Sequence, residues 1–392
     1  MKNLIIELRL ILFCLLCPII TLAQSGTITG KVIQADTKAP VRANVFLSNS
    51  SFGTSSAADG TFTLSGLKPG QYTLVANAIG YQEHTETVLV NNEQVNLNIE
   101  LARKSILLKE VSIYTSTKAE WNLYYQQFKT EFIGIDKNAG DCKIINPEII
   151  NFSYHKVKKE LDASTDDFLI VENKALGYRI KFLIEKFVND GITGTTDYVG
   201  TPLFEELPGS ESQKKKWKKK RDEAYCGSAM HFYRSLLKDS LAAEGFEMYH
   251  LTRQLNPRPE PALPMPGRNI IREVNLRPLY INQSIDKNQW LLADVLRPTD
   301  KPGVIYALSF PDCLYVVYKN KWEETYFKDV YRPADMLNYQ ITIVSFPGKV
   351  IYALFDKNGA VLGDSPLYEG SWSQARLSEL LPVDYTPGGR SK

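Results

Sequence analysis

Residues 30–81 read GKVIQADTKAPVRANVFLSNSSFGTSSAADGTFTLSGLKPGQYTLVANAIGY, a series of short apolar runs broken by tight turns. Within and beside this stretch, Thr27 to Ile33, Asn44 to Leu47, Thr61 to Leu64, Tyr72 to Ala76, Thr85 to Val90 and Gln94 to Leu101 are rich in β-branched and aromatic residues. Several alternate with period two, as half-buried strands do. Turn signals separate them: Asp36-Thr37-Lys38, Asp59-Gly60, Lys68-Pro69-Gly70, Ile79-Gly80 and Asn91-Asn92. Gly60, Gly70 and Gly80 are expected at positive φ, and Pro69 presets φ ahead of Gly70. Short strands at this spacing predict an antiparallel sandwich of about seven strands over residues 24–113.

The chain of 392 residues is long enough for two or three domains, and 44% hydrophobic with 11% aromatic residues can fill real cores. Lys plus Arg at 46 against Asp plus Glu at 44 leaves a net charge of +2, so no global field favours nucleic acid, and none is expected as a partner. Lys2, Arg9, the apolar run Leu10 to Ile20 and Thr21-Leu22-Ala23 read as a signal peptide over residues 1–23, cleaved before Gln24. Cys17 invites a lipoprotein reading, but Leu16 stands where a small residue is required. No later run of 18 apolar residues exists, so the exported protein is expected to be peripheral to a membrane rather than to span it. Cys142, Cys226 and Cys313 permit at most one disulfide, and three small buried hydrophobes is the preferred reading.

Beyond residue 113 the pattern changes. Ser112 to Lys118 is small and polar, a hinge. Trp121, Tyr124, Tyr125, Phe128 and Phe132 fall on one helical face, which packs a core in preference to stacking sugars. Cys142 to Tyr154 and Asp167 to Val188 return to strand periodicity. Residues Ser210 to Ala243 predict one long helix, whose opening carries Lys214, Lys215, Lys216, Lys218, Lys219, Lys220 and Arg221 around Trp217. Cations near the positive end of a helix cost a few tenths of a kcal/mol each, on the order of 0.3–1. The cluster is therefore a candidate patch for an anionic partner such as lipid phosphates or an acidic protein face; a solvated helix end is the blander and preferred reading. Five prolines between Leu255 and Arg268 predict an extended crossing. Val304 to Ser309, Leu314 to Tyr318, Gln340 to Phe346 and Lys349 to Phe355 read as strands, so residues 114–392 are expected to form an α+β unit.

Gly30-Lys31-Val32, Pro40-Val41, Ala43-Asn44-Val45, Gly53-Thr54, Asp59-Gly60-Thr61-Phe62, Leu67-Lys68-Pro69-Gly70-Gln71-Tyr72 and Ile79-Gly80-Tyr81, in that order, resemble the carboxypeptidase regulatory-like domain, a transthyretin-like sandwich. Leu108-Lys109-Glu110-Val111 resembles the segment closing that module in envelope proteins. The resemblance implies a non-catalytic module that accompanies zinc carboxypeptidases or precedes outer-membrane uptake receptors. Gly177-Tyr178, Ala224-Tyr225-Cys226-Gly227-Ser228, Gly370-Ser371-Trp372, Arg376, Leu380-Leu381-Pro382 and Asp384-Tyr385 are similar to uncharacterised envelope proteins carrying the same module. That second likeness implies a location without implying an activity.

Catalytic signatures do not accumulate. A zinc carboxypeptidase needs HxxE and a distant His, yet His84, His155, His231 and His250 are each followed at the third place by a residue other than Glu. Cys226 and His231, five apart, would diverge by about 140° on one helix. Gly363-Asp364-Ser365 suggests a hydrolase nucleophile, but no His follows it. GxSxG, GxGxxG and GxxxxGK[ST] do not occur, and spacing alone singles out no glycosidase pair of carboxylates. The expectation is a non-enzymatic exported binding or adaptor protein without cofactor or metal, partnered by an outer-membrane protein or envelope component. An unrecognised hydrolase and a glycan-binding accessory protein are the alternatives.

Overall fold

The structure, a computed structural model, describes residues 25–91, 93–104, 117–255, 280–323, 330–346, 350–363 and 365–388. The signal peptide, the closing segment Leu108-Lys109-Glu110-Val111, the boundary near residue 113, the proline-rich crossing and Asp364 lie outside the described residues.

Seven strands come first: β1 (Gly26–Gln34), β2 (Asn44–Leu47), β3 (Gly53–Ser55), β4 (Thr61–Leu67), β5 (Gly70–Asn77), β6 (His84–Val90) and β7 (Gln94–Leu101). They form two sheets, β4-β1-β7 and β3-β2-β5-β6. All pairs are antiparallel except β1 with β7. In β4 the sequence TFTLSGL alternates outward Thr with buried Phe62, Leu64 and Leu67. These meet Ile28, Val32, Val45, Leu47, Leu74, Val88 and Ile99 to fill the sandwich. The predicted sandwich is present. The strand that the pattern did not mark is β3, three residues with one β-branched side chain. Gly60 and Gly80 take φ +84° as expected, whereas Gly70 does not take positive φ. Its small size serves close approach instead, since a Cβ there would lie 2.8 Å from the Asn358 amide.

Helix α1 (Lys118–Ile133) comes next, opened by a Thr117/Glu120 capping box. Its aromatic stripe is core: Phe128 and Phe132 are fully buried and make edge contacts with Phe187 and Phe182. The helix lies over a six-stranded sheet of β8 (Cys142–Ile144), β9 (Ile150–His155), β10 (Glu160–Thr165), β11 (Leu169–Asn173), β12 (Tyr178–Asp190) and β13 (Thr195–Glu206). β12 pairs β13 along its length; on its other edge it pairs β11 with its first half and β10 with its last. Where one partner hands over to the other, the β12–β13 register slips, and Glu185 is the extra, unpaired residue of the bulge.

The predicted helix over 210–243 is three helices: α2 (Glu211–Tyr225), α3 (Ala229–Leu237) and α4 (Leu241–Glu244). Gly227 at φ +84° breaks the first from the second, and the Ser228 hydroxyl accepts from His231 N to cap the new start. Then come β14 (Phe246–Leu255), β15 (Tyr280–Gln289), α5 (Leu292–Val295), β16 (Leu296–Arg297), β17 (Ile305–Ser309), β18 (Cys313–Trp322), β19 (Tyr339–Ser345), β20 (Tyr352–Asp356), β21 (Val361–Leu362), β22 (Leu367–Gly370) and α6 (Ser371–Gln374). They give sheets β15-β14-β18-β19-β22 and β16-β17-β20-β21, around a core of Phe232, Phe246, Val316, Phe355 and Trp372. The region after the sandwich is thus mainly sheet with few helices. Cys142, Cys226 and Cys313 carry free thiols, Cys142 and Cys313 buried.

The sandwich is fastened to the six-stranded sheet. Phe46 and Val75, on the outside of the β2–β5 sheet, are fully buried against Phe168, Leu183 and Leu203. Residues 49–51 enter the β13 edge: Phe204 N donates to Ser50 O at 2.9 Å, and Asn49 N to Pro202 O at 2.6 Å. The chain's last described stretch closes the seam. Val383 N donates to Asn49 O, and Ser51 donates to the Asp384 carboxylate from its backbone N at 2.8 Å and its hydroxyl at 2.5 Å.

Candidate functional site

The basic cluster separates into two kinds of residue. Trp217 and Arg221 point into the protein, while Lys214, Lys215, Lys216, Lys218 and Lys219 are exposed and Lys220 is half-buried. Gly177 and Gly209 make room for the Trp217 indole, whose Nε1 donates to Lys174 O at 2.9 Å. Arg221 Nε and Nη2 donate to the carbonyls of Leu176 and Gly177, Nη1 meets Glu206 at 2.8 Å, and its guanidinium lies 3.9 Å over the Tyr178 ring. Four lysines have carboxylate partners on their own helix: Lys214 with Glu211, Lys218 with Asp222, and Lys219 and Lys220 with Glu223. Lys215 and Lys216 have no carboxylate within 4.0 Å among the described residues. Exposed pairs of this kind contribute ~0–1 kcal/mol each. Much of the cluster's charge is therefore balanced locally, and its inward members fasten α2 to the β11–β12 turn.

The scattered segments that resemble envelope proteins converge beside this helix. Tyr385 donates from its hydroxyl to Asp222 at 2.7 Å, and Gly388 N donates to the same oxygen. Arg234 donates from each of its three guanidinium nitrogens to the carbonyls of Asn358, Tyr385 and Val383, each at 2.8 Å. Trp372 Nε1 donates to Gly227 O at 2.7 Å. Burial, and then Asp222, push the Tyr385 phenol up; burial pushes Tyr178 up to about 12, partly opposed by Arg221. Both phenols keep their protons at neutral pH. The convergence is a satisfied clamp that joins α2, α3 and the chain's last stretch, and through Asp384 the sandwich.

An open cleft of about 300 Å³ lies along the seam. The sandwich supplies Asn77, Glu83, Thr85 and Lys104; the six-stranded sheet supplies Thr165, Asp166, Leu183, Ile184 and Glu185. Of the two apolar residues, Leu183 is nearly buried and Ile184 fully so, and the bulge turns Glu185 out of the ladder toward solvent. Glu83, between β5 and β6, has one carboxylate oxygen, Oε2, shut off from water with no hydrogen-bond partner. Burial, reinforced by Glu185 and opposed by Asn77 and Lys104, pushes the Glu83 carboxyl up to about 7. Neither Glu83 nor Glu185 was singled out from the sequence. The available signal is the run Phe182-Leu183-Ile184 followed by the charged pair Glu185-Lys186, which together break the alternation of β12.

His155, Glu160 and Asp162, at the tip of the β9–β10 hairpin, bring donor atoms within 4.8 Å of one another. They are the set of described residues that could hold a metal ion. His155 Nε2 already lies 2.8 Å from Asp162, and the hairpin turn carries Lys156, Lys158 and Lys159, whose charge opposes a cation. Among the described residues no helix is long and apolar enough to cross a membrane.

Comparisons with known proteins bear on the sandwich. No curated protein matches the chain. Among solved structures, the group B streptococcus pilus 2b backbone protein is similar at 24% identity, covering 21% of this chain and 43% of that one, with a TM-score of 0.19. A putative membrane-associated protein of unknown function from Bacteroides fragilis is similar at 15% identity over 41% of this chain and 65% of that one, TM-score 0.17. A putative carbohydrate binding protein from Bacteroides uniformis is similar at 6% identity over 46% and 99%, TM-score 0.17. The chain thus spans less than half the length of the pilus protein it matches. Residues 28–113 match the family model of the CarboxypepD_reg-like domain, and this part of the chain is such a domain.

Proposed function

We propose that this is a non-enzymatic, exported binding protein of the cell envelope, in which the CarboxypepD_reg-like sandwich and the region after it act as one rigid receptor. The observation that carries the reading is the seam: a dry contact, a strand-edge insertion and the Asp384 clamp fix two units so that a polar cleft between them keeps its shape. A preformed cleft lined by convergent polar and charged groups suits recognition. The signal-peptide reading and the absence of catalytic motifs support the same view. The test is retention of the purified full chain on isolated envelope fractions. Thr85→Arg, which fills the cleft from an exposed position, should abolish retention, whereas replacing Lys214, Lys215, Lys216, Lys218, Lys219 and Lys220 by Gln should not. The opposite pattern would transfer the binding site to α2.

One observation favours a second reading. Glu83, with its carboxyl raised, and Glu185, facing solvent, are two carboxyl groups in contrasting environments, the pattern of a hydrolytic acid/base pair. Release of reducing sugar or free amine from envelope glycans or peptides by the wild type, and not by Glu83→Gln, would establish a hydrolase.

A further inference from the structure

The cleft's chemistry specifies its occupant, and this step rests on the binding reading above. Three carboxyl groups line it, Glu83, Asp166 and Glu185, against one cation, Lys104. Glu83 Oε2 sits away from solvent with nothing to accept from, while Glu185 is exposed at the rim. Beside them the cleft touches Leu183, which keeps 8% of its surface exposed, whereas Ile184 is fully buried in the core that α1 covers. An excess of carboxylates beside a small apolar contact at Leu183 fits a side chain with a methylene stem and a cationic tip. The volume, about 300 Å³, is at the small end of ligand sites and suits one such side chain rather than an extended chain.

We infer that the cleft is a socket for a basic side chain, lysine or arginine, of a protein partner, with Glu83 accepting from the cationic tip and Glu185 closing over it. Leaving a buried acceptor unmet is costly, and a turn of the Glu83 side chain that brings Oε2 into the open cleft lets a partner's donor meet it. The charged groups facing Glu83 are Glu185 on β12, Asp166 in the β10–β11 turn and Lys104 after β7; His84, next in the chain, lies 3.6 Å from Glu86. Lys104 is the internal competitor for the same carboxylates. Because Glu83 titrates near neutrality when the cleft is open, a cation that binds only its ionised form must bind more weakly as pH falls. With a value of about 7, affinity at pH 6 should be about ten-fold below that at pH 8.

The experiment follows backbone amide shifts of the full chain on addition of Nα-acetyl-lysine methylamide, Nα-acetyl-arginine methylamide, the uncharged Nα-acetyl-norleucine methylamide, or glucosamine. The expected result is saturable shifts at Thr85, Thr165 and Leu183 to Glu185 with the two basic probes, about ten-fold weaker at pH 6 than at pH 8. Glu83→Gln should weaken binding at pH 8 and flatten the pH dependence; Glu185→Gln should weaken it and keep the dependence; Lys104→Met should strengthen it. Equal shifts with the norleucine probe would overturn the inference. So would binding of glucosamine without the basic probes, which would make the site one for an amino sugar. Absent shifts in a protein whose envelope retention is still lost in Thr85→Arg would refute the basic-side-chain assignment and leave the binding reading standing. Absent shifts with retention insensitive to Thr85→Arg would refute both.

Discussion

Replacing Gly177 by Ala tests whether Trp217 is a structural anchor. The glycine sits at φ +71°, and a Cβ built there would lie 2.1, 2.4 and 2.5 Å from three atoms of the Trp217 ring. Two costs add: left-handed backbone for a residue with a Cβ, ~1–2 kcal/mol, and overpacking against an indole held in place by its bond to Lys174, ~1–3 kcal/mol. The variant should lose about 2–5 kcal/mol, a large part of an ordinary stability of ~5–15 kcal/mol. Urea denaturation followed by circular dichroism reads this as a lower midpoint at unchanged slope. Trp217→Ala alone should cost ~3–5 kcal/mol, and in the double variant the clash vanishes, so the combined loss should fall short of additive by ~1–3 kcal/mol. A Gly177→Ala change below about 0.5 kcal/mol, or strict additivity, would show that the indole is free to move and is no anchor.

The seam makes a second stability prediction: Phe46→Ala, which empties a fully buried contact with Phe168, should cost ~3–5 kcal/mol in the same assay, and a surface-like loss under ~1 kcal/mol would mean that the two units do not hold each other. Asp384→Ala strips two solvent-exposed donors of Ser51 of their acceptor and should cost ~0.5–1.5 kcal/mol, read against a silent change at the exposed Lys38. Changing the six α2 lysines to Gln removes four solvent-screened ion pairs worth ~0–1 kcal/mol each, so stability should fall by less than ~4 kcal/mol; a larger loss would make the lysines structural. Glu83 predicts a pH signature. Its carboxyl is raised in the fold from the ordinary 4.5 to about 7, so its contribution is fully present below pH 4.5 and is lost as pH rises toward 7. The wild type should lose stability relative to Glu83→Gln between pH 5 and pH 7, and parallel profiles would contradict the burial assigned to it.

The sandwich was readable because its information is local. Phe62 and Leu64 in β4, and Tyr72, Leu74 and Ala76 in β5, point inward at every second residue, and Asp59-Gly60 announces its turn in two letters. Helix α1 declared its inward face in the same way through Phe128 and Phe132. The break at Gly227 is hidden in the sequence because Phe232, Leu236 and Leu237 continue an apolar spacing on the far side of it, and the cap depends on one serine. Trp217 and Arg221 looked like members of a charged patch because their neighbours are lysines. What buries them, the carbonyls of Leu176 and Gly177 and the gap left by Gly177, lies some 40 residues earlier. The cleft was invisible for the same reason. Glu83 and Glu185 stand about a hundred residues apart, and only the packing of Phe46 and Val75 on Leu183 brings their elements side by side.

The central claim, recognition at the seam by a rigid two-part receptor, is tested most directly by in-cell photocrosslinking of the full chain, with the reactive residue placed once at Asp167, exposed beside the cleft's Asp166, and once at Lys215. We predict one defined protein species captured from Asp167, lost when Glu83→Gln is added, and nothing discrete from Lys215. Capture from Lys215 alone, or from Asp167 with no dependence on Glu83, would contradict the account.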